Sequence, residues 1–336
     1  MIFNGCLVTD RYNITQDLKM TFLSDVLSPA KVIKVFLQHL SLFVANLDLV
    51  AIEVIRYKPQ KRCLIEYTFE GKSKLVLIGK IRAKGTDTKS YNLQKQLWAS
   101  EFSSDSDDGI SVPEPVGIIP QWQMWVQKKV PGNLIINHLI GREGINISKR
   151  IAQIAHKLHN VDIITQRRHT ITEELAILEQ KLPLVINDYP PWRSRIATLL
   201  EQCFILGENT PEVELVNIHR DFYFDQILVD GDRFYLLDFD LYCRGNPNLD
   251  LGNFLGHIQE YSLRVLGDVN KLKEQENTLI KEYIKLTQPE NLAAIQAYTT
   301  LTLVRHIYLS NQFPQRRFCT EELLNLCEKR LNFIKV

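Results

Sequence analysis

Residues 215–256 read LVNIHRDFYFDQILVDGDRFYLLDFDLYCRGNPNLDLGNFLG, and the fold is decided by this stretch. β-Branched and aromatic residues over Gln226–Val229 and Arg233–Leu237 flank the tight-turn sequence Asp230-Gly231-Asp232, which predicts a small hairpin. Asp221 stands just before the first strand, and Asp238 and Asp240 just after the second, so the hairpin carries these carboxylates to one end. A carboxylate cluster without Cys or spaced His suits a hard, oxygen-seeking cation such as Mg²⁺, which takes one or two carboxylates together with substrate phosphates. The chemistry this implies is phosphoryl transfer. A Gly-Asn-Pro-Asn turn at 245–248 and a helix start come next, the context such a motif requires.

The same residues resemble the aminoglycoside phosphotransferase family, a small-molecule branch of the protein-kinase-like fold. Its catalytic loop follows His-x-Asp-x-x-x-x-Asn, with a second Asp one hairpin later; here His219-Arg220-Asp221 is followed by Gln226 and then Asp238. The resemblance implies that Asp221 orients an acceptor hydroxyl and takes its proton. Asp238 would hold Mg²⁺ against the phosphates of ATP, and Gln226 replaces the family's metal-binding Asn. His219 would brace the loop, and Asp250, in Asn248-Leu249-Asp250-Leu251-Gly252, looks like the buried aspartate that bonds the loop backbone. Asp240 is either a loop cap or a second metal ligand.

Upstream, AIEVIRYK, RCLIEYTF and KLVLIGKIR are separated by short polar turns and predict three antiparallel strands, with VGIIP and WQMWVQKK adding two more. Lys80 is a charge in the otherwise apolar LVLIGKI, and a phosphate partner accounts for it, since an unpaired lysine there is costly. In kinases the third strand carries the lysine that pairs with the α- and β-phosphates. By the same resemblance Lys128, Lys129 and Val130, before Pro131-Gly132, form the hinge whose backbone meets adenine. Two departures stand out. The first turn, Lys58-Pro59-Gln60-Lys61, is not a glycine-rich loop, and the helix predicted over Lys89–Ser100 offers Gln94 and Gln96 where a glutamate is expected to orient Lys80. Further on, His156 and His159 lie i,i+3 in a predicted helix, a pair that lacks the third ligand a metal site needs.

The 336 residues carry 40 Lys+Arg against 39 Asp+Glu, a balance with no basic excess for nucleic acid or an anionic membrane. The six cysteines are scattered without a C-x-x-C pair, which predicts neither zinc nor disulfides and points to a reducing compartment. No run approaches the ~20 apolar residues of a membrane span, so a cytoplasmic protein is expected.

These readings predict an α+β fold of two lobes. Residues 1–50 form an N-terminal extension with one helix, 29–42, packed on the small lobe. Residues 51–130 form a five-stranded nucleotide-binding sheet, and 131–336 a helical lobe with the catalytic loop and substrate cleft. The expected activity is ATP- and Mg²⁺-dependent phosphorylation of a hydroxyl on a small molecule: a sugar, amino alcohol, antibiotic or secondary metabolite. The segment Gln259–Gln296 mixes Glu260, Glu276 and Glu290 with Arg264, Lys273 and Lys281, so a polycationic antibiotic is not specifically favoured. The competing reading is a catalytically degraded relative that binds nucleotide or a partner, supported by Gln226 and the missing glycine loop.

Overall fold

The computed structural model describes residues 2–3, 5–289 and 291–333; Glu290, with residues 1, 4 and 334–336, lies outside the described residues. The chain divides into two compact units, Met1–Gly132 with Val229–Leu237, and Asn133–Leu228 with Asp238–Val336. The sequence division at 130/131 thus differs by two residues, and the hairpin residues 229–237 group with the first unit.

The first unit contains strands Ile2–Phe3 (β1), Cys6–Thr9 (β2), Asp48–Lys58 (β3), Arg62–Glu70 (β4), Leu75–Arg82 (β5), Ile110–Ser111 (β6), Pro115–Ile119 (β7) and Met124–Lys128 (β8). Its helices are Leu23–Val26 (α1), Pro29–Val44 (α2) and Thr88–Ala99 (α3). The main sheet runs β1-β2-β3-β4-β5-β8-β7, seven strands where the sequence predicts five. The extra pair comes from the first ten residues, where β2 runs parallel to β3 with Leu7 opposite Ala51 and Thr9 opposite Glu53. Four residues give too little alternation to predict a strand, and the pairing partner supplies the rest. β3, β4 and β5 pair antiparallel in the expected order.

Helix α2 begins at Pro29, as the Ser28-Pro29 start signal predicts, and extends two residues past the expected end. Its buried stripe is Val32, Phe36, Leu40 and Val44, four residues apart, which is the spacing that keeps side chains on one helix face. The Phe36 ring lies 4.8 Å from that of Tyr67 and 5.7 Å from that of Phe69, both on β4.

The β3–β4 turn is held from the N-terminal segment. Asp17, only 6% exposed, accepts from the Gln60 N–H at 2.7 Å and the Tyr57 hydroxyl at 2.6 Å. It also accepts from the N–H groups of Lys19 and Met20, each at 2.8 Å. Gln60 sits at φ 55°, a left-handed conformation that a non-glycine residue adopts only when its surroundings stabilise it. Burial by itself raises the Asp17 carboxyl, but the Tyr57 and backbone donors outweigh it and hold it at about 2, below the ordinary 3.8. A depressed folded-state value gives stability that is present above about pH 4 and lost as pH falls toward 2. Asp17→Asn is therefore expected to lower the unfolding free energy by roughly 1.5–3 kcal/mol at neutral pH. Urea unfolding at neutral pH and near pH 3 checks this, since the deficit should shrink in acid; a pH-independent deficit would exclude the carboxylate's charge as its source.

The second unit carries helices Ile135–Leu139 (α4), Gly144–His159 (α5), Ile171–Lys181 (α6), Arg193–Glu208 (α7), Asn248–Leu266 (α8), Lys273–Leu286 (α9), Asn291–Gln312 (α10) and Thr320–Phe333 (α11). Its short strands are Asn133–Leu134 (β9), Arg168–His169 (β10), Val216–Ile218 (β11) and, after the hairpin Ile227–Asp230 (β12) and Arg233–Leu236 (β13), Cys243–Gly245 (β14). Leu178, Ile196, Leu249, Leu301 and Leu323 lie in one buried core that joins five of these helices.

A three-stranded sheet, β10-β14-β11, positions the loop that bears Asp221. β11 and β14 pair antiparallel, Val216 opposite Gly245 and Ile218 opposite Cys243. Gly245 is required by space, because a Cβ there would lie 2.3 Å from Ile218 Cδ1 and 2.7 Å from the His169 carbonyl oxygen. Residues 219–226 leave the end of β11, and α8 comes after β14, so this pairing brings the loop and the first turn of α8 together. All six cysteines are buried and unpaired. Among the described residues no helix is long and apolar enough to cross a membrane.

Candidate active site

Asp250, on the first turn of α8, is 0% exposed and reaches back to the loop. Its Oδ2 accepts from the His219 N–H at 2.8 Å and its Oδ1 from the Arg220 N–H at 2.7 Å. His159, at the end of α5, adds a third contact, with Nε2 3.0 Å from Asp250 Oδ2, while its Nδ1 meets the Tyr283 hydroxyl at 2.9 Å. Three partners offset the cost of burying this carboxyl group, and two of them fix the loop at consecutive amides. The sequence offers two signs of His159, an incomplete metal pair with His156 and a Leu158-His159 helix end that resembles the family's, but its contact with Asp250 is legible only in the structure.

The two carboxylates on either side of the hairpin lie close enough to interact. Burial pushes the Asp221 carboxyl above its ordinary range; His219 and Arg305 oppose this, and the negative charge of Asp238 adds to it. The raised value suits a proton acceptor that must share its surroundings with a second acid. Gln226 is buried, 9% exposed, with its amide nitrogen 3.4 Å from Asp221 Oδ2. Asp240 donates its backbone N–H to Asp238 Oδ1 at 3.4 Å and accepts from Arg167 at its carbonyl oxygen, at 2.8 Å. Arg220 and Asp238 have φ values of 69° and 57°. Left-handed backbone at two non-glycine residues, one next to Asp221 and the other Asp238 itself, is the kind of strain that accumulates where geometry serves chemistry.

A second set of partners surrounds the loop. Arg305 of α10 pairs with Glu174 at 3.0 Å and with the Asn253 side-chain oxygen at 2.5 Å. Asn253 in turn donates to the Phe222 carbonyl oxygen at 3.1 Å, inside the loop. Glu174 also meets His169 Nε2 at 2.6 Å; burial would raise its carboxyl, but Arg305 and His169 bring it down to about 2. Nothing in the sequence singles out Glu174, Asn253 or Arg305, because they are far apart along the chain and no short motif contains them.

The donor chemistry of the site bears on Mg²⁺. Among the described residues no group of three or more His, Cys, Asp or Glu side chains forms a ready metal cage. Mg²⁺ keeps waters and substrate phosphates and needs few protein oxygens. Asp238 and the amide oxygen of Gln226 are suitable donors.

In the first unit, Lys80 of β5 lies opposite Trp125 of β8, and its ammonium nitrogen is 4.4 Å from the Trp125 ring centroid. Gln94 of α3 is buried, and its amide nitrogen donates to the Pro113 carbonyl at 2.6 Å and to Gln127 at 3.1 Å. That nitrogen is engaged with the strand region. In the segment before Pro131-Gly132, Lys128 N–H donates to the Glu114 carbonyl at 2.9 Å and Lys129 N–H to the Val76 carbonyl at 2.8 Å. The side chains pair with Glu114 at 2.5 Å and Glu66 at 2.7 Å. Both amides thus serve the sheet. Gly132, at φ 104°, lies against the hairpin; a Cβ would sit 2.4 Å from the Val229 carbonyl oxygen.

The family model described as "Phosphotransferase enzyme family" (APH) matches residues 106–276. No curated protein matches the chain. Among solved structures, an ethanolamine kinase of Plasmodium vivax is similar at 15% identity and a TM-score of 0.55, covering 92% of this chain and 88% of that one. Choline kinase of Cryptosporidium parvum is similar at 12% identity and a TM-score of 0.56, covering 91% and 96%. A thermostable mutant of aminoglycoside phosphotransferase APH(4)-Ia, in a ternary complex with AMP-PNP and hygromycin B, is similar at 14% identity and a TM-score of 0.56, covering 90% and 97%. The similarity extends over the two-lobed α+β fold expected from the sequence, while each ligand belongs to the protein named with it.

Proposed function

The chain belongs to the phosphotransferase enzyme family, and from that premise we propose that it transfers the γ-phosphoryl group of ATP, with Mg²⁺, to a hydroxyl of a small molecule. The observation that carries the reading is the pair of hydrogen bonds from His219 and Arg220 N–H to Asp250, which hold the loop bearing Asp221. Asp221 accepts the proton of the acceptor hydroxyl as that oxygen bonds to phosphorus, and the O–P bond to ADP breaks in line with it. Lys80 binds the nucleotide phosphates, and Lys128–Val130 meet adenine. Asp238, with Gln226 or Asp240, holds Mg²⁺, which supplies neutralisation of the phosphate charge when bound. His219 and Asp250 support the loop.

The test is ADP release from Mg²⁺-ATP with pooled hydroxylated metabolites, followed by mass detection of a product that has gained one phosphoryl group. Acceptor-dependent ADP release supports the reading. Saturable ATP binding with no such release in any pool would favour the non-catalytic alternative that Gln226 and the glycine-free turn suggest.

Two variants probe the nucleotide side. Lys80→Ala is expected to weaken ATP binding by roughly 10–100-fold, the value of a charge-assisted bond, without loss of cooperative unfolding. Titration calorimetry reads it, and an unchanged affinity removes Lys80 from the site. Asp238→Asn should reduce nucleotide affinity far more with Mg²⁺ present than in chelator, since the carboxylate acts through the ion. Equal losses in both conditions would assign Asp238 a structural role instead.

A further inference from the structure

A cavity of about 530 Å³ opens among α8, α9, α10 and α11, a volume within the usual range for small-molecule sites. It is on the opposite side of α8 from the loop that bears Asp221. Asn253 and His257 of α8 face that loop, through the Phe222 carbonyl oxygen and a 4.4 Å stack on the Tyr223 ring. Leu255 and Gln259 line the cavity, each two residues further on and so about 200° round the helix.

The cavity is polar at one end and apolar at the other. At the polar end Arg330 of α11 donates from Nη1 to Gln259 Oε1 at 2.9 Å and from Nε to the Thr300 hydroxyl of α10 at 3.3 Å. At the other end Ile284 and Leu292 flank the connection between α9, which ends at Leu286, and α10, which begins at Asn291. Leu292 lies about two helical turns, roughly 12 Å, from Thr300, and Ile284 the same distance from Glu276. Ile280 and Ile295 continue the apolar lining between the two ends.

Charge at the polar end is unbalanced. Glu276 is 1% exposed; its Oε2 accepts from Gln259 Nε2 at 2.7 Å and Lys273 Nζ at 3.4 Å, and its Oε1 is closed off from the cavity. That acid is therefore matched by Lys273. Arg330 forms no ion pair among the described residues, and its Nη2 has no hydrogen-bond partner there. Burial lowers the guanidinium from its ordinary value; Glu276 opposes this, but from beyond ion-pairing distance. A half-buried cation whose partners are a neutral amide and a hydroxyl is short of a counter-charge, and its open edge has the fork geometry that suits a carboxylate. Lys281 adds a cation at the exposed rim, while Glu274 and Glu282, the other acids of α9, do not line the cavity.

We propose that this cavity binds an aliphatic carboxylate, an anionic head on an apolar tail, at a site separate from the acceptor site. The carboxylate accepts from Arg330 Nη2, and the tail lies along Ile280, Ile284, Leu292 and Ile295. A neutral amide or an ammonium lacks the charge that Arg330 is missing. A short anion leaves the aliphatic side chains facing water. The combination of one unpaired guanidinium and an apolar trough thus selects an amphiphile with a negative head.

The experiment is titration calorimetry of the full chain with octanoate and decanoate, alongside octanamide, octylamine and acetate. Saturable binding of octanoate is expected, about tenfold or more tighter than octanamide or octylamine, because a charge-assisted bond is lost in the first and repelled in the second. Decanoate should bind severalfold tighter than octanoate, and acetate should not saturate over the same range. Arg330→Gln should weaken octanoate binding by about tenfold or more. Leu292→Glu should do the same by placing a negative charge in the trough, and because Leu292 is 39% exposed this change is not expected to disturb folding. If Arg330→Gln does not fold, Leu292→Glu and the head-group series decide the matter. Binding should persist in Asp221→Asn and with saturating ADP. No saturable heat at millimolar octanoate, equal affinity for octanoate and octanamide, or binding unchanged in Leu292→Glu would overturn the proposal. So would loss of binding in Asp221→Asn, which would put the ligand in the acceptor site. Heat of binding needs no turnover, so this result stands apart from the fate of the phosphotransferase reading.

Discussion

Asp221→Asn is expected to reduce turnover by ~10²–10⁴, the usual contribution of a positioned base, while leaving nucleotide affinity within a few-fold of the parent. The amide keeps the side chain's shape and an oxygen that can accept from Gln226, while it removes the negative charge and with it the ability to take a proton. Because burial and the neighbouring Asp238 raise the Asp221 carboxyl, the parent enzyme should also lose activity in acid, starting above the ordinary aspartate value of 3.8. The sign follows from the role: a base works deprotonated, so activity rises with pH through the raised value. Steady-state kinetics of both proteins across pH, on the acceptor found by metabolite screening, checks both points. Turnover within a few-fold of the parent, with the same acid limb, would falsify the assignment of Asp221 as the base.

The second large effect is on stability. Asp250→Ala removes a fully buried carboxylate that accepts from two loop amides and contacts His159, and it leaves those donors facing a cavity. Breaking a buried charge network from one side costs roughly 3–5 kcal/mol, a large part of the stability of an ordinary domain. Denaturant unfolding should show a fall of that size, and any folded remainder should have depressed turnover because Asp221 loses its support. Asp250→Asn keeps one carbonyl acceptor, and is expected to fall between the parent and Asp250→Ala. A loss below about 1 kcal/mol in Asp250→Ala would mean that something other than Asp250 holds the loop.

The motif that carries the family resemblance, residues 219–250, was legible because its parts lie within one hairpin of each other. Local turn chemistry at Asp230-Gly231 and alternating strands fix the separation of Asp221 and Asp238 without help from distant residues. The same is true of the β3–β5 strands and of α2, where periodicity and the Ser28-Pro29 start are local signals. Lys80 could be singled out for a similar reason, as one charge in an apolar strand.

Other features depend on the tertiary structure. β2 becomes a strand only because β3 offers it an edge, and four residues hold no periodicity from which to foresee that. Asp17 looks like any polar residue in a loop until the fold brings it to Gln60, 43 positions away. His159 finds Asp250 across 91 positions and Arg305 finds Glu174 across 131, so neither pair leaves a spacing to recognise. The amides of Lys128 and Lys129 are likewise committed by strand register, which no side chain in the segment reveals. What the sequence by itself determined was therefore the chemistry that short-range geometry can assemble: the acidic hairpin, the strand lysine and the helix starts. Which buried groups hold that chemistry in place is decided by the tertiary structure, because burial and long-range pairing exist only once the chain has folded.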